Sequence, residues 1–111
     1  MDSMSRGDFV SIALQGDFGK PRPALVIQSD QFSEHATTTV LLVSTTLVAA
    51  PLFRVAVQPS DINGLRRPSQ VLVDKIMTVK NDKLGAVFGT ASDELMLEVS
   101  RCLAVFLGIA K

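Results

Sequence analysis

The stretch Gly19-Lys20-Pro21-Arg22-Pro23-Ala24 sets an arginine between two prolines. Each proline fixes its own φ, and Pro23 also drives Arg22 into an extended conformation. A guanidinium on so stiff a segment, just ahead of the apolar run Ala24-Leu25-Val26-Ile27, is preorganised to hold phosphate or carboxylate. Local pattern alone favours the plainer alternative, a loop arginine paired with Asp17 or Asp30. Ser44-Thr45-Thr46 places three hydroxyls at the end of a run rich in β-branched residues, where they either face a cleft or simply finish a strand. His35 is the residue type of a general base, yet its neighbours Phe32-Ser33-Glu34 read as a solvated loop. Arg66-Arg67, just after Asn63-Gly64, fit a nucleic-acid clamp or a solvated loop. Cys102 lies in a helical pattern and reads as a small buried hydrophobe.

These side chains depend on elements that the periodicity lays out. Phe9 to Leu14 alternates, with Val10, Ile12 and Leu14 on one face and Phe9, Ser11 and Ala13 on the other. Pro23 to Gln28 predicts a strand buried on both faces. Thr37 to Thr45 predicts a long central strand, Phe53 to Val57 another, and Gln70 to Val73 a further one that continues to Val79 after a bend. Gly85 to Gly89 makes a short last strand. Asn63-Gly64 marks a tight turn needing positive φ. From Ser92 the period becomes 3.6: Ser92 is the N-cap, Asp93 and Glu94 suit the helix N-terminus, and Gly108 stops the helix. Leu95, Val99, Cys102, Leu103 and Phe106 form its apolar stripe. The expected fold class is mainly β with α (α+β): a small, SH3-like, partly closed antiparallel β-barrel with a C-terminal helix.

Composition narrows the function classes. A chain of 111 residues with mean hydropathy +0.32 is expected to be one domain, residues 1–111 with a core of about 6–109. Eleven Lys+Arg balance eleven Asp+Glu, which argues against holding nucleic acid by bulk positive charge. The stretch from Arg54 to Lys83 nevertheless holds six basic residues against three acidic ones, so one face can be basic. No Trp and no Tyr argues against an aromatic base-stacking platform. One Cys and one His exclude a disulfide framework and any site built from several such ligands. No secretory signal or membrane-spanning run is visible, so the cytoplasm is the expected compartment.

In order along the chain, Arg6-Gly7-Asp8, the segment from Arg22 to Asp30, Val43-Ser44-Thr45-Thr46, the segment from Ser69 to Ile76, Lys83-Leu84-Gly85 and Leu107-Gly108-Ile109 together resemble the MazF/PemK family of toxin endoribonucleases. The resemblance runs from Arg6 to about Ile109. It implies the toxin of a type II toxin–antitoxin system, a sequence-specific mRNA interferase. Such an enzyme cuts single-stranded RNA without metal or other cofactor, leaving a 2′,3′-cyclic phosphate and a 5′-hydroxyl.

The positions matching the family's catalytic residues are Arg22 and Thr45. Arg22 would stabilise charge on the phosphoryl oxygens, and the Thr45 hydroxyl would donate to such an oxygen or orient the attacking 2′-hydroxyl. Expected RNA contacts are Lys20, Ser44, Thr46, Arg54, Arg66, Arg67 and Lys75. The resemblance also implies a homodimer, with RNA in a groove near the interface, and an antitoxin whose disordered acidic C-terminal segment folds into that groove. Two departures stand out. The loop Gln15 to Pro21 is short and lacks the family's Gly-Ser-Glu-Gln segment, leaving Asp17 as the candidate replacement for its glutamate. Lys75 takes the place of a frequent glutamine. Two alternatives remain: a CcdB-like, non-enzymatic inhibitor of DNA gyrase, of which Phe106-Leu107-Gly108-Ile109 is an echo lacking the Trp, and a catalytically degenerate member that only binds RNA or antitoxin.

Overall fold

The computed structural model describes residues 4–14 and 20–110. Six strands and one helix follow in order: β1 (Asp8–Ala13), β2 (Pro21–Val26), β3 (Thr37–Ser44), β4 (Arg54–Val57), β5 (Ser69–Lys80), β6 (Leu84–Thr90) and α1 (Asp93–Phe106). The strands form one antiparallel sheet in the order β4-β5-β3-β2-β1-β6. Every strand expected from the sequence is present. The expected bend in β5 is a register break, because Val71 pairs with Val43 but Ile76 pairs with Leu41. Extra residues on one strand bend it and raise its twist, which lets one 12-residue strand pair with β4 through its first part and with β3 along most of its length.

Alternation gives the sheet two apolar faces. Phe9, Leu25, Leu41, Val55, Val71 and Val73 pack on one side with Val99 and with Leu95, Met96, Cys102 and Leu103 of α1. Val10, Ile12, Ala24, Val26, Val40 and Val79 pack on the other, joined by Leu14 and Leu42. β2 is therefore buried on both faces, as its unbroken apolar run requires. Phe106, expected on the apolar stripe, is instead half exposed, as are Val105 and Leu107. The last turn of α1 carries the stripe beyond the buried cluster. Ser92 Oγ accepts from Leu95 N–H at the start of the helix. At its end Gly108, with φ +76°, donates to Val105 C=O while Ile109 N–H reaches Ala104 C=O, the paired closure that a left-handed residue permits.

Among the described residues no ladder joins β4 to β6, so the sheet is open. The Asn63-Gly64 turn spans the gap. Thr90 N–H donates to Ile62 C=O at 2.9 Å, and Gly89 lies so close to Asn63 that an added Cβ would stand 2.0 Å from its carbonyl oxygen. Gly64 has φ +69°, the conformation expected of this turn. Asn63 is buried and held at both ends of its carboxamide: its Nδ2 donates to Gln58 C=O, and its Oδ1 accepts from Ser60 and Leu65 N–H. Among the described residues the sheet expected as a partly closed barrel is thus not closed by hydrogen-bonded strands; a turn pressed on β6 spans its gap.

Candidate active site

β1 and β3 flank β2, and β1 holds its first residues in register, with Ile12 opposite Arg22 and Ser11 opposite Pro23. Continuing the β2–β3 register from the Ala24–Leu42 pair sets Arg22 across from Ser44. Alternation then puts Arg22 on the face of Ala24 and Val26, and Pro23 on the face of Leu25.

Two adjoining hollows result, with Pro23 lining both. One, of about 250 Å³, is lined by Leu14, Arg22, Pro23, Leu42, Val43, Ser44 and Leu72. The other, of about 550 Å³, takes Thr45, Arg66, Arg67 and Ser69 together with Ser11, Pro21, Leu65 and Phe88. Arg22 and Ser44 therefore share one hollow, while Thr45 faces the neighbouring one with the two arginines. None of the residues described as lining either hollow is a carboxylate. A third hollow, between β4, the 58–63 turn and the start of α1, is lined by Glu94 and Glu98 and by no cation. The neutral chain thus separates its charges in space.

Thr45 and Thr46 are exposed just beyond β3, and Ser44 is half-buried at its end. Ser44 Oγ accepts from Thr46 N–H at 3.0 Å, which tightens the exit from the strand. Ser69 is buried and its Oγ donates to Arg67 C=O at 2.8 Å, fixing the backbone that carries both exposed arginines. Gly64 and Leu65 line the same hollow, so the turn that bridges the sheet also presents Arg66 and Arg67.

The remaining candidates have different surroundings. Lys20 is exposed directly before β2. Arg54 is half-buried, and its Nη1 donates to Thr46 C=O and to Gln70 Oε1, both at 3.2 Å. Lys75 is exposed at the β5 register break and pairs with Asp74 at 3.0 Å; it lines neither hollow. Asp17 and the loop 15–19 lie outside the described residues. His35 is exposed, with its ring edge-on to Phe32. Cys102 is half-buried, and burial, with the Glu98 charge second, pushes its thiol pKa upward.

Sequence reasoning did not find Gln70, Ser11 or Phe88 near this site. Nor did it foresee that Arg6 would bind Ile27 C=O and Ser100 Oγ while its backbone N–H donates to Asp30. Strand alternation hides the first three among ordinary strand residues. The Arg6 contacts depend on elements distant in sequence.

The sequence matches the PemK-like, MazF-like toxins of type II toxin–antitoxin systems over residues 5–107. It is 40% identical over 108 residues to a probable endoribonuclease MazF of Mycolicibacterium smegmatis, covering 96% of this chain and 99% of that protein. Among solved structures it is similar to an endoribonuclease in complex with its cognate antitoxin from a mycobacterial species, with TM-score 0.83, 26% identity, and 98% and 99% of the two chains covered. A second mycobacterial endoribonuclease gives TM-score 0.79 at 28% identity, covering 97% and 94%.

Proposed function

The chain belongs to the PemK-like, MazF-like toxins of type II toxin–antitoxin systems, and we propose that it is a sequence-specific, metal-independent endoribonuclease acting on single-stranded RNA. The observation that carries this reading is the pair of hollows parted by Pro23, which gather Arg22, Ser44, Thr45, Arg66 and Arg67. A phosphodiester held across Pro23 meets the Arg22 fork on one side and the Thr45 hydroxyl on the other. Attack by the 2′-hydroxyl forms the O2′–P bond of a cyclic phosphate and breaks the P–O5′ bond. The 2′ proton leaves to solvent water or to Asp17, and the departing 5′-oxygen takes up a proton from solvent water. Arg22 stays protonated and offsets the charge on the phosphoryl oxygens. Need for a 2′-hydroxyl makes DNA a non-substrate.

In this reading residues of about 6–109 form the single toxin domain, working in the cytoplasm as a homodimer. The exposed Val105, Phe106, Leu107 and Ile109 are an apolar patch suited to a second copy. The cationic hollows suit the acidic segment of an antitoxin as well as RNA, and no membrane partner is invoked. Among the described residues no helix is long and apolar enough to cross a membrane.

The test is cleavage of a long single-stranded RNA in EDTA, with the cut ends mapped by primer extension. The wild type cleaves at a short recurring sequence, and Arg22→Ala and Thr45→Ala each abolish it. Cleavage that needs a divalent metal, or that persists unchanged in Arg22→Ala, overturns the mechanism.

A further inference from the structure

We propose that Gln70, orientated by Arg54, is a positioning residue that holds Thr45 in place for cleavage; this rests on the role of Thr45 proposed above. Thr45 stands at the start of the connection between β3 and β4. Packing does little to fix that connection, since Leu47, Val48 and Leu52 are 57%, 46% and 79% exposed. Its first residues are held to the sheet by polar bonds instead.

Gln70 lies on β5 directly between Ser44 of β3 and Ala56 of β4. Its carboxamide grips a single residue of the loop from both sides. Val48 N–H donates to Oε1 at 3.1 Å, and Nε2 donates to Val48 C=O at 2.9 Å. One side chain thus supplies the pair of bonds that a neighbouring strand residue would make.

Arg54 determines which way the carboxamide points. A guanidinium can only donate, so the Arg54 Nη1 contact must fall on the oxygen of Gln70, leaving Nε2 to face Val48 C=O. The same Nη1 also binds Thr46 C=O, one residue from Thr45. Among the described residues Arg54 Nε is buried without a hydrogen-bond partner, so the bonds seen for this guanidinium are the two made by Nη1. Arg54, expected from the sequence to contact RNA, is in this reading part of the frame that aims the Thr45 hydroxyl.

Misplacement of a catalytic group by about 1 Å can lower a rate on the order of a hundredfold. Gln70→Leu therefore lowers kcat at least tenfold, while KM stays within about twofold because Arg66 and Arg67 are carried by the separate turn before β5. Gln70→Glu keeps the acceptors for Val48 N–H and Arg54 but turns an oxygen toward Val48 C=O, and gives an intermediate kcat. Amide hydrogen exchange supplies a readout independent of activity: Val48 N–H exchanges faster in Gln70→Leu, while Leu41 N–H in the buried part of β3 does not. Wild-type kcat in Gln70→Leu, or unchanged Val48 exchange, overturns the proposal. If Gln70→Leu also speeds exchange at Leu41, the fold has loosened, and Gln70→Glu carries the same two tests. Thr45→Val separates the two readings. Wild-type cleavage in Thr45→Val removes Thr45 from the mechanism, and the positioning role falls with it; an inactive Thr45→Val beside a fully active Gln70→Leu refutes the positioning role alone.

Discussion

RNA affinity should fall with salt along a shallow slope that three side chains set. Arg22, Arg66 and Arg67 are the cations among the described residues that line the two hollows. Each phosphate neutralised on a single strand contributes about −0.7 to the slope of log affinity against log salt. Three contacts give a slope of about −2, or a loss of about 20-fold between roughly 50 and 200 mM salt. Lys75, paired with Asp74 and lining neither hollow, adds little. The assay is fluorescence anisotropy with a short 2′-O-methyl oligoribonucleotide, which binds but cannot be cut because its attacking hydroxyl is blocked. Arg66→Gln with Arg67→Gln should flatten the slope to about −0.7, the share left to Arg22. A wild-type slope steeper than about −4, or one unchanged in the double variant, would refute the assignment of RNA to these hollows.

Gly89→Ala forces a Cβ to within 2.0 Å of Asn63 O and must dislodge the turn that bridges the open sheet. A loss of about 3 kcal/mol, read as a drop of roughly 10–20 °C in Tm, is expected, together with weaker RNA binding because that turn carries Arg66 and Arg67; an unchanged Tm would show that the turn yields freely. The raised thiol pKa of Cys102, caused by burial and then by Glu98, keeps the thiol protonated at neutral pH. Alkylation by iodoacetamide at pH 8 should therefore be much slower in the native protein than in urea, and equal rates would contradict that account.

The strands were legible because their signals are local. Alternation in Phe9 to Leu14, the unbroken run at Ala24 to Ile27 and the β-branched stretch from Thr37 each report burial on one or both faces of a sheet. The Ser92 cap and the Gly108 stop likewise need only their own neighbours. Phe106 did not follow its spacing, because periodicity records which side of a helix is apolar but not where the surface that covers it ends. Arg22 and Thr45 were identified by resemblance rather than by spacing. That they face adjoining hollows on either side of Pro23 depends on the register of β1, β2 and β3. The surroundings of Arg54 and Lys75 were invisible for a related reason. A basic residue in a sequence declares its charge, whereas its engagement with Gln70 or with Asp74 is decided by partners that folding supplies.

The zero net charge takes on a specific meaning once the charges are located. Glu94 and Glu98 line a hollow beside β4 and α1, while Arg66 and Arg67 project from the turn that spans the open side of the sheet. The cationic half of the site is therefore tied to the bridge formed by Asn63, Gly64 and Gly89, and the hydroxyl half to the loop gripped by Gln70. Apart from Ser44 at the end of β3, neither half sits on a strand: each hangs at the sheet's margin on a small set of hydrogen bonds and close contacts. β2 carries Arg22 at its exposed start, ahead of Ala24, Leu25 and Val26, which are buried on both faces. A segment binding over Pro23 could displace RNA from both halves together by contacting Arg22, Thr45 and the Arg66-Arg67 pair. An acidic chain is the natural competitor, since it offers carboxylates to the same guanidinium groups proposed above to hold RNA phosphate.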